Sequence, residues 1–190
     1  MTETEDLQLQ WARESLARDG LYSRMPEKEQ LRIIDEAIQF GVHIAEKTRE
    51  KLGTPKGADS IREMLVSLGC GVRVDETSEP PGPMSEYMED LLAARFYTRR
   101  IRNRAAESAE RGEWSSGWYE LYAQCIAREL FRHVENTLSG KASHHIRFKE
   151  RWLGLLPVSR PVETSREIAC LAFVKNFLEL PTIPGLLRDE

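Results

Sequence analysis

Residues 118–138 read WYELYAQCIARELFRHVENTL, the strongest helical segment of the chain. Apolar side chains cover well over half of its circumference, and they are Trp118, Tyr119, Tyr122, Cys125, Ile126, Leu130 and Val134. Its polar stripe is narrow and consists of Gln124, Arg128, Arg132 and Glu135. A helix that is apolar on so much of its surface is mostly buried in a globular protein. We therefore predict a buried central helix that ends at Ser139-Gly140.

Helices and a strand are predicted before this segment. A first helix begins at Pro26, carries acidic residues in its first turn, and ends at Gly53. Ser60 and Glu63 have the spacing of a capping box, which predicts a second, short helix. Gly69 ends that helix, and a short strand is expected at residues 72–74, before a loop at residues 75–83. The pattern indicates an α+β fold that is predominantly α-helical.

Residues 84–111 are compatible with a strand or with one long helix. Alanines, glutamates and arginines favour the helix, which would run to Gly112. After the central helix we expect a loop that carries His144, His145 and Trp152. A last helix is predicted from an N-cap at residue 164 or 165 to Pro181.

Composition indicates a globular protein with a hydrophobic core. The chain has 190 residues, of which 41% are hydrophobic and 31% are charged. We assign residues 1–24 to an N-terminal helix or extension and residues 25–190 to a single domain. The formal net charge of −4 excludes a general polyanion binder, so a nucleic-acid role would need a local basic patch.

Several features predict a cytoplasmic protein without a membrane partner. The apolar runs are far shorter than the roughly 20 residues that span a bilayer. The N-terminus is acidic, whereas a secretory signal begins with basic and then apolar residues. Cys70, Cys125 and Cys170 lie far apart in apolar surroundings, which is typical of buried free thiols in a reducing compartment.

The central helix also carries a pattern close to a known zinc site. With histidines at positions 128 and 132, residues 128–135 would form a zincin helix. In such a helix two histidines at i and i+4 bind zinc, and the glutamate between them activates the metal-bound water. The last helix, Arg166-Glu-Ile-Ala-Cys-Leu-Ala-Phe-Val-Lys-Asn-Phe-Leu-Glu-Leu-Pro181, resembles the segment Glu-x-x-Ala-x-x-Phe-Ala…Leu-Leu-x-Pro of the ImmA/IrrE-like metallopeptidases. The helix, glycine and strand at residues 61–74 resemble the opening of that family, so the resemblance spans about residues 26–181.

The resemblance implies a zincin-like core and assigns roles to individual residues. Glu129 matches the catalytic glutamate, and Glu167 matches the third, carboxylate ligand. The two histidine-ligand positions hold Arg128 and Arg132. A guanidinium is protonated at physiological pH and offers only donors, so it cannot ligate zinc. The resemblance therefore implies a degenerate, non-catalytic relative without a cofactor, in which the arginines pair with Glu129 and Glu167.

Family context implies a binding or regulatory role. Members of this family are tied to phage, mobile-element and stress-response regulation, in which they cleave or release a repressor. A degenerate relative is expected to bind a protein partner in the former substrate cleft without cutting it.

Two alternatives stay open at this stage. Glu129 and His133 are also spaced i, i+4, and with Glu167 or the histidines at 144 and 145 they could form a rearranged zinc site of an active endopeptidase. The other alternative is nucleic-acid binding by the segment 95–104, which interleaves arginines with Phe96 and Tyr97. Its arginines are Arg95, Arg99, Arg100, Arg102 and Arg104. The same arginines could instead lie on a solvent-exposed helix face and form ion pairs with nearby acidic side chains.

Overall fold

The computed structural model describes residues 3–78, 82–112, 114–152, 156–182 and 187. Its fold is α+β and predominantly helical, as the sequence predicts. The helices are α1 (Glu3–Leu16), α2 (Glu27–Leu52), α3 (Ala58–Ser67), α4 (Thr98–Glu110), α5 (Trp118–Val134), α6 (Ala142–His145) and α7 (Ser165–Phe177). The strands are β1 (Gly71–Asp75), β2 (Ser85–Met88), β3 (Ala93–Tyr97), β4 (Arg147–Trp152) and β5 (Leu156–Pro161). No helix of the described ranges is both long and apolar enough to cross a membrane.

The long helix α2 packs closely along α7. Its predicted bounds are confirmed, because it begins after Pro26 and ends at Gly53, which has a φ of 90°. At Gly41 the two helix backbones approach so closely that a Cβ atom would lie 2.1 Å from the Ala169 carbonyl oxygen. The absence of a side chain at this position lets the two helices pack at short distance.

The three-stranded sheet corrects the prediction for residues 84–111. Strand β3 lies in the middle, parallel to β1 and antiparallel to β2. The predicted strand at residues 72–74 is confirmed as part of β1, but the long helix is wrong for its first half, since α4 begins only at Thr98. Pairing with β1 and burial of Ala94 and Phe96 outweigh the helix propensity of this segment.

Two local predictions also differ from the structure. The expected loop after the central helix contains α6 and an antiparallel hairpin of β4 and β5. The capping box is not formed, because α3 begins at Ala58 with Gly57 as its N-cap residue. Ser60 lies inside the first turn, where its hydroxyl donates to the Gly57 carbonyl and accepts a hydrogen bond from the Lys56 amide.

The central helix α5 is mostly buried, as predicted, but Tyr119 in its first turn is 40% exposed, which corrects its assignment to the buried face. It continues into a π-helical turn at Glu135–Ser139 and stops at Gly140, which has a φ of 78°. Four polar residues of the helix are buried as well, and they are Gln124, Arg128, Glu129 and His133. Arg128 is only 4% exposed and Glu129 is fully enclosed, whereas the Arg132 side chain is 35% exposed. The three cysteines are free and buried, which confirms that prediction.

Candidate binding site

The centre of the site is the carboxylate of Glu129 on α5, which is 0% exposed. The Ser85 hydroxyl donates to its Oε1 at 2.6 Å, and Arg128 Nε donates to the same oxygen at 3.1 Å. Arg132 Nη1 donates to Oε2 at 3.2 Å. Both oxygens of the buried carboxylate therefore accept charge-assisted or hydroxyl hydrogen bonds, which offset the cost of burying the charge.

Strand β2 ties this cluster to the sheet. Arg128 Nη2 donates to the Ser85 carbonyl at 2.9 Å and approaches the Ser85 hydroxyl at 3.0 Å. Ser85 thus contacts both members of the buried ion pair, and the pair joins α5 to β2. Sequence reasoning missed Ser85, because it lies 44 residues from Glu129 and in a segment that was expected to be helical.

The donor set at these positions does not fit zinc. The two positions that match histidine ligands hold guanidinium groups, which have no lone pair to give to a metal. The oxygens of Glu129 already accept hydrogen bonds from both of those guanidinium groups. Across the residues with described side chains, no three His, Cys, Asp or Glu side chains form a group that could hold a metal ion.

His133 has a partner at each ring nitrogen. Nε2 lies 3.1 Å from the Leu68 carbonyl oxygen, and Nδ1 lies 2.9 Å from the Tyr87 hydroxyl. Since a carbonyl oxygen only accepts, Nε2 carries a proton and donates to Leu68, and Nδ1 pairs with the Tyr87 hydroxyl. The structure therefore joins His133 to the end of α3 and to β2, and does not bring it together with Glu129 and Glu167 in one group.

Glu167 lies on α7 at the edge of the site. Its carboxylate is 3.6 Å from Arg18 Nη2, and it forms no hydrogen bond with Arg128 or Arg132. Burial raises the pKa of this carboxyl, and the charges of Arg18 and Arg132 lower it in part. The expected arginine pairs are thus present at Glu129 but absent at Glu167.

A cleft of about 360 Å³ opens between α5 and α7 beside this cluster. Its charged and polar lining residues are Arg128, Arg132, Glu163, Thr164, Arg166 and Glu167. Its remaining lining residues are Phe131, Cys170, Leu171 and Leu187. Arg132 and Glu167 each keep about a third of their side chains exposed, so the cleft presents both signs of charge to a ligand.

A second ion pair, which the sequence did not indicate, joins the buried Glu135 to the partly exposed Arg166 at one end of the site. Arg166 Nε donates to Glu135 Oε2 at 2.7 Å, and the Ala142 amide donates to Oε1 at 2.8 Å. Burial raises the pKa of the Glu135 carboxyl, and these two donors lower it in part. Glu89 accepts from Arg166 and from Lys141, so the π-helical turn, α6 and α7 are held together.

His144 and His145 are exposed and take no part in this cluster. His145 Nε2 lies 3.1 Å from the Ser139 carbonyl oxygen, and its ring stacks on Phe40 with centroids 5.6 Å apart.

The arginine segment 95–104 lies on β3 and α4. Its two aromatic side chains are buried, with Phe96 0% and Tyr97 7% exposed, so they cannot stack on bases. Arg95 lies 3.8 Å from Glu86, and the guanidinium of Arg102 lies over the Trp118 ring at 4.4 Å. Arg99, Arg100 and Arg104 each have an interaction within the chain.

Comparison of the chain with protein-family models, with curated proteins and with solved structures returned no match. The resemblance to ImmA/IrrE-like metallopeptidases therefore stays a prediction.

Proposed function

We propose that this protein is a non-catalytic binding module, a degenerate relative of zincin-type peptidases that holds a segment of a protein partner in the cleft between α5 and α7. The observation that supports this proposal best is the state of Glu129. A glutamate that activates water needs a free oxygen within reach of that water. Here both oxygens accept hydrogen bonds, and the side chain is fully buried.

The lining of the cleft supports a peptide ligand that carries a carboxylate. Arg132 uses Nη1 for Glu129, and its Nε and Nη2 have no hydrogen-bond partner among the described residues. A guanidinium with free donors binds carboxylates well, because its planar fork matches the two oxygens. Phe131, Leu171 and Cys170 supply apolar surface next to it. The occupant is therefore a short peptide segment with an acidic side chain near an apolar one.

The first test separates a structural from a catalytic role for Glu129. Glu129→Gln removes the charge but keeps the shape, and leaves Arg128 buried beside a neutral amide. We expect its free energy of unfolding to fall by about 3–5 kcal/mol, the cost of breaking a buried ion pair. Urea denaturation measures this change, and Glu163→Gln, at an exposed position of the same cleft, serves as the control.

The peptidase alternative makes the opposite prediction. In a working zinc enzyme, Glu129→Gln would leave stability nearly unchanged and abolish cleavage of a denatured protein substrate. Elemental analysis of untagged protein purified without chelator would then find about one zinc per chain. That combination of results would overturn the binding-module proposal.

The second test concerns the ligand. Peptides selected from a random displayed library on the wild-type protein should be enriched in Asp or Glu. Their affinity should fall about tenfold on Arg132→Gln, the loss expected for one charge-assisted hydrogen-bonded pair. The exposed Lys149→Gln is the control for a change of net charge alone. Selected peptides whose affinity does not respond to Arg132→Gln would place the binding surface elsewhere.

A further inference from the structure

A second cavity lies apart from this cleft and shares no lining residue with it. Its volume is about 430 Å³, within the range of about 300–1,000 Å³ that is typical of small-molecule sites. The apolar lining residues are Phe40, Ile44, Leu52, Leu68, Val134 and Leu138. Leu138, at the edge of the cavity, is 60% exposed. A bound apolar chain would cover it and remove that surface from water.

The polar part of this cavity is basic. His43, Lys47 and Lys51 follow one another at four-residue spacing on α2, so they share one side of the helix. Among the described residues, no Asp or Glu lines the cavity. Both lysines are exposed, and neither forms an ion pair within 4.0 Å with a carboxylate among the described residues. Two ammonium groups one helical turn apart therefore lie beside an apolar cavity, and neither has an ion-pair partner among the described residues.

We propose that this cavity binds a single-chain aliphatic carboxylate. The chain would lie against the apolar walls, and the carboxylate would lie between Lys47 and Lys51. Charge complementarity selects an anion over a neutral or cationic amphiphile. The cavity volume suits one medium-length chain, and two ammonium groups one helical turn apart both attract a carboxylate that lies between them.

Isothermal titration calorimetry on the full chain tests this proposal with sodium decanoate, kept below its critical micelle concentration. We expect saturable binding of one decanoate per chain and no binding of decyltrimethylammonium. Lys47→Gln combined with Lys51→Gln should weaken decanoate binding about tenfold, since two ion pairs are lost, and should leave binding of decanol unchanged. Lys28→Gln, at an exposed position on the same helix, is the matched control and should have no effect.

A second variant tests the apolar wall of the cavity. Leu138→Glu places a negative charge at an exposed edge of the cavity and should weaken decanoate binding further than it weakens decanol binding. Circular dichroism would show that both lysine and leucine variants keep the wild-type helix content.

Four results would overturn the proposal. The first is decanoate binding that does not saturate. The second is a lysine variant that loses affinity for decanoate and for decanol to the same extent. A decyl phosphate affinity more than tenfold above that of decanoate would reassign the site to phosphate. A concentration-dependent dimer that Leu138→Glu dissociates and decanoate leaves intact would assign the surface to a second copy of the chain.

Discussion

The buried carboxylate of Glu129 accepts hydrogen bonds from three sides. Arg128 precedes it on the helix, Arg132 follows one turn later, and Ser85 reaches it from β2. Arg128 in turn donates to the Ser85 carbonyl, so the buried guanidinium also has a second partner. A network of this kind fixes how α5 lies on the sheet. Its contribution is orientation more than net stability, because desolvation of the charges offsets much of their attraction.

Glu167 gives a residue-scale prediction that depends on pH. Burial raises the pKa of its carboxyl above the ordinary value of 4.5. The stability that its protonated form contributes is present in full below about pH 4.5 and is lost as the pH rises through the raised pKa. Glu167→Gln stays neutral throughout. We therefore expect the variant to be more stable than wild type at about pH 7, with a difference that shrinks towards zero near pH 4.

Urea denaturation across that pH range checks this prediction. Glu163→Gln, one turn earlier and exposed, should change stability little at either end of the range. A Glu167→Gln variant that is less stable than wild type at neutral pH would show that Arg18 and Arg132 more than offset the cost of burial.

Part of the candidate site could be predicted from the sequence. The pairing of Arg132 with Glu129 follows from their i, i+3 spacing on one helix, whereas Arg128 is adjacent to Glu129 and its pairing was implied only by the resemblance. Ser85 could not be predicted, because hydrogen bonds between distant segments leave no local pattern. The same holds for the Arg166–Glu135 pair, whose members lie on different helical segments 31 residues apart.

At the scale of elements, Gly41 sets the distance between α2 and α7. Helix propensity alone favours alanine over glycine by about 1 kcal/mol in a helix interior. In this position a Cβ atom would lie 2.1 Å from the Ala169 carbonyl oxygen and 2.9 Å from the Phe173 amide nitrogen. Both are backbone atoms that cannot move without shifting α7. We expect Gly41→Ala to lower stability by about 3 kcal/mol or more, against the trend of propensity.

Thermal unfolding followed by circular dichroism measures that effect. Gly20→Ala is the control, because no heavy atom lies within 4 Å of the Cβ that would be added there and its φ is not in the left-handed region. If Gly41→Ala left the midpoint of thermal unfolding unchanged, α2 and α7 would pack less closely than they do in the structure.

The elements that sequence reasoning identified share one property: local signals mark both of their ends. Pro26 and Gly53 bound α2, and Gly140 follows the extended α5. The segment 84–97 has no such signal, and its alanines, its glutamates and Arg95 suit a helix. Its strand β3 is stabilised by pairing with β2 on one side and with β1 on the other, and β1 comes from a distant part of the chain, since Gly71 pairs with Ala93. Non-local pairing of this kind is the part of the fold that one sequence does not reveal.

At the scale of the whole molecule, α1 belongs to the same core as the long helices. The sequence predicted a helix or extension over residues 1–24 and a single domain over residues 25–190. In the structure Trp11, Ala12 and Leu16 are buried in the main core, and α1 contacts both α2 and α7. Asp19 accepts hydrogen bonds from the amide and the hydroxyl of Thr164 at the start of α7. The N-terminal segment thus covers α7 close to the proposed peptide cleft.

This arrangement predicts that the N-terminal helix unfolds together with the rest of the protein. Trp11 is 2% exposed, and Trp11→Ala would leave a large cavity in the main core. We expect a loss of about 3–5 kcal/mol in the free energy of unfolding, with one cooperative transition retained. Gln10→Ala, one residue earlier and exposed, is the control and should change stability by less than about 0.5 kcal/mol. If Trp11→Ala left the main transition unchanged, α1 would be a separately ordered attachment, and its contacts with α7 would not contribute to the stability of the domain that carries the cleft.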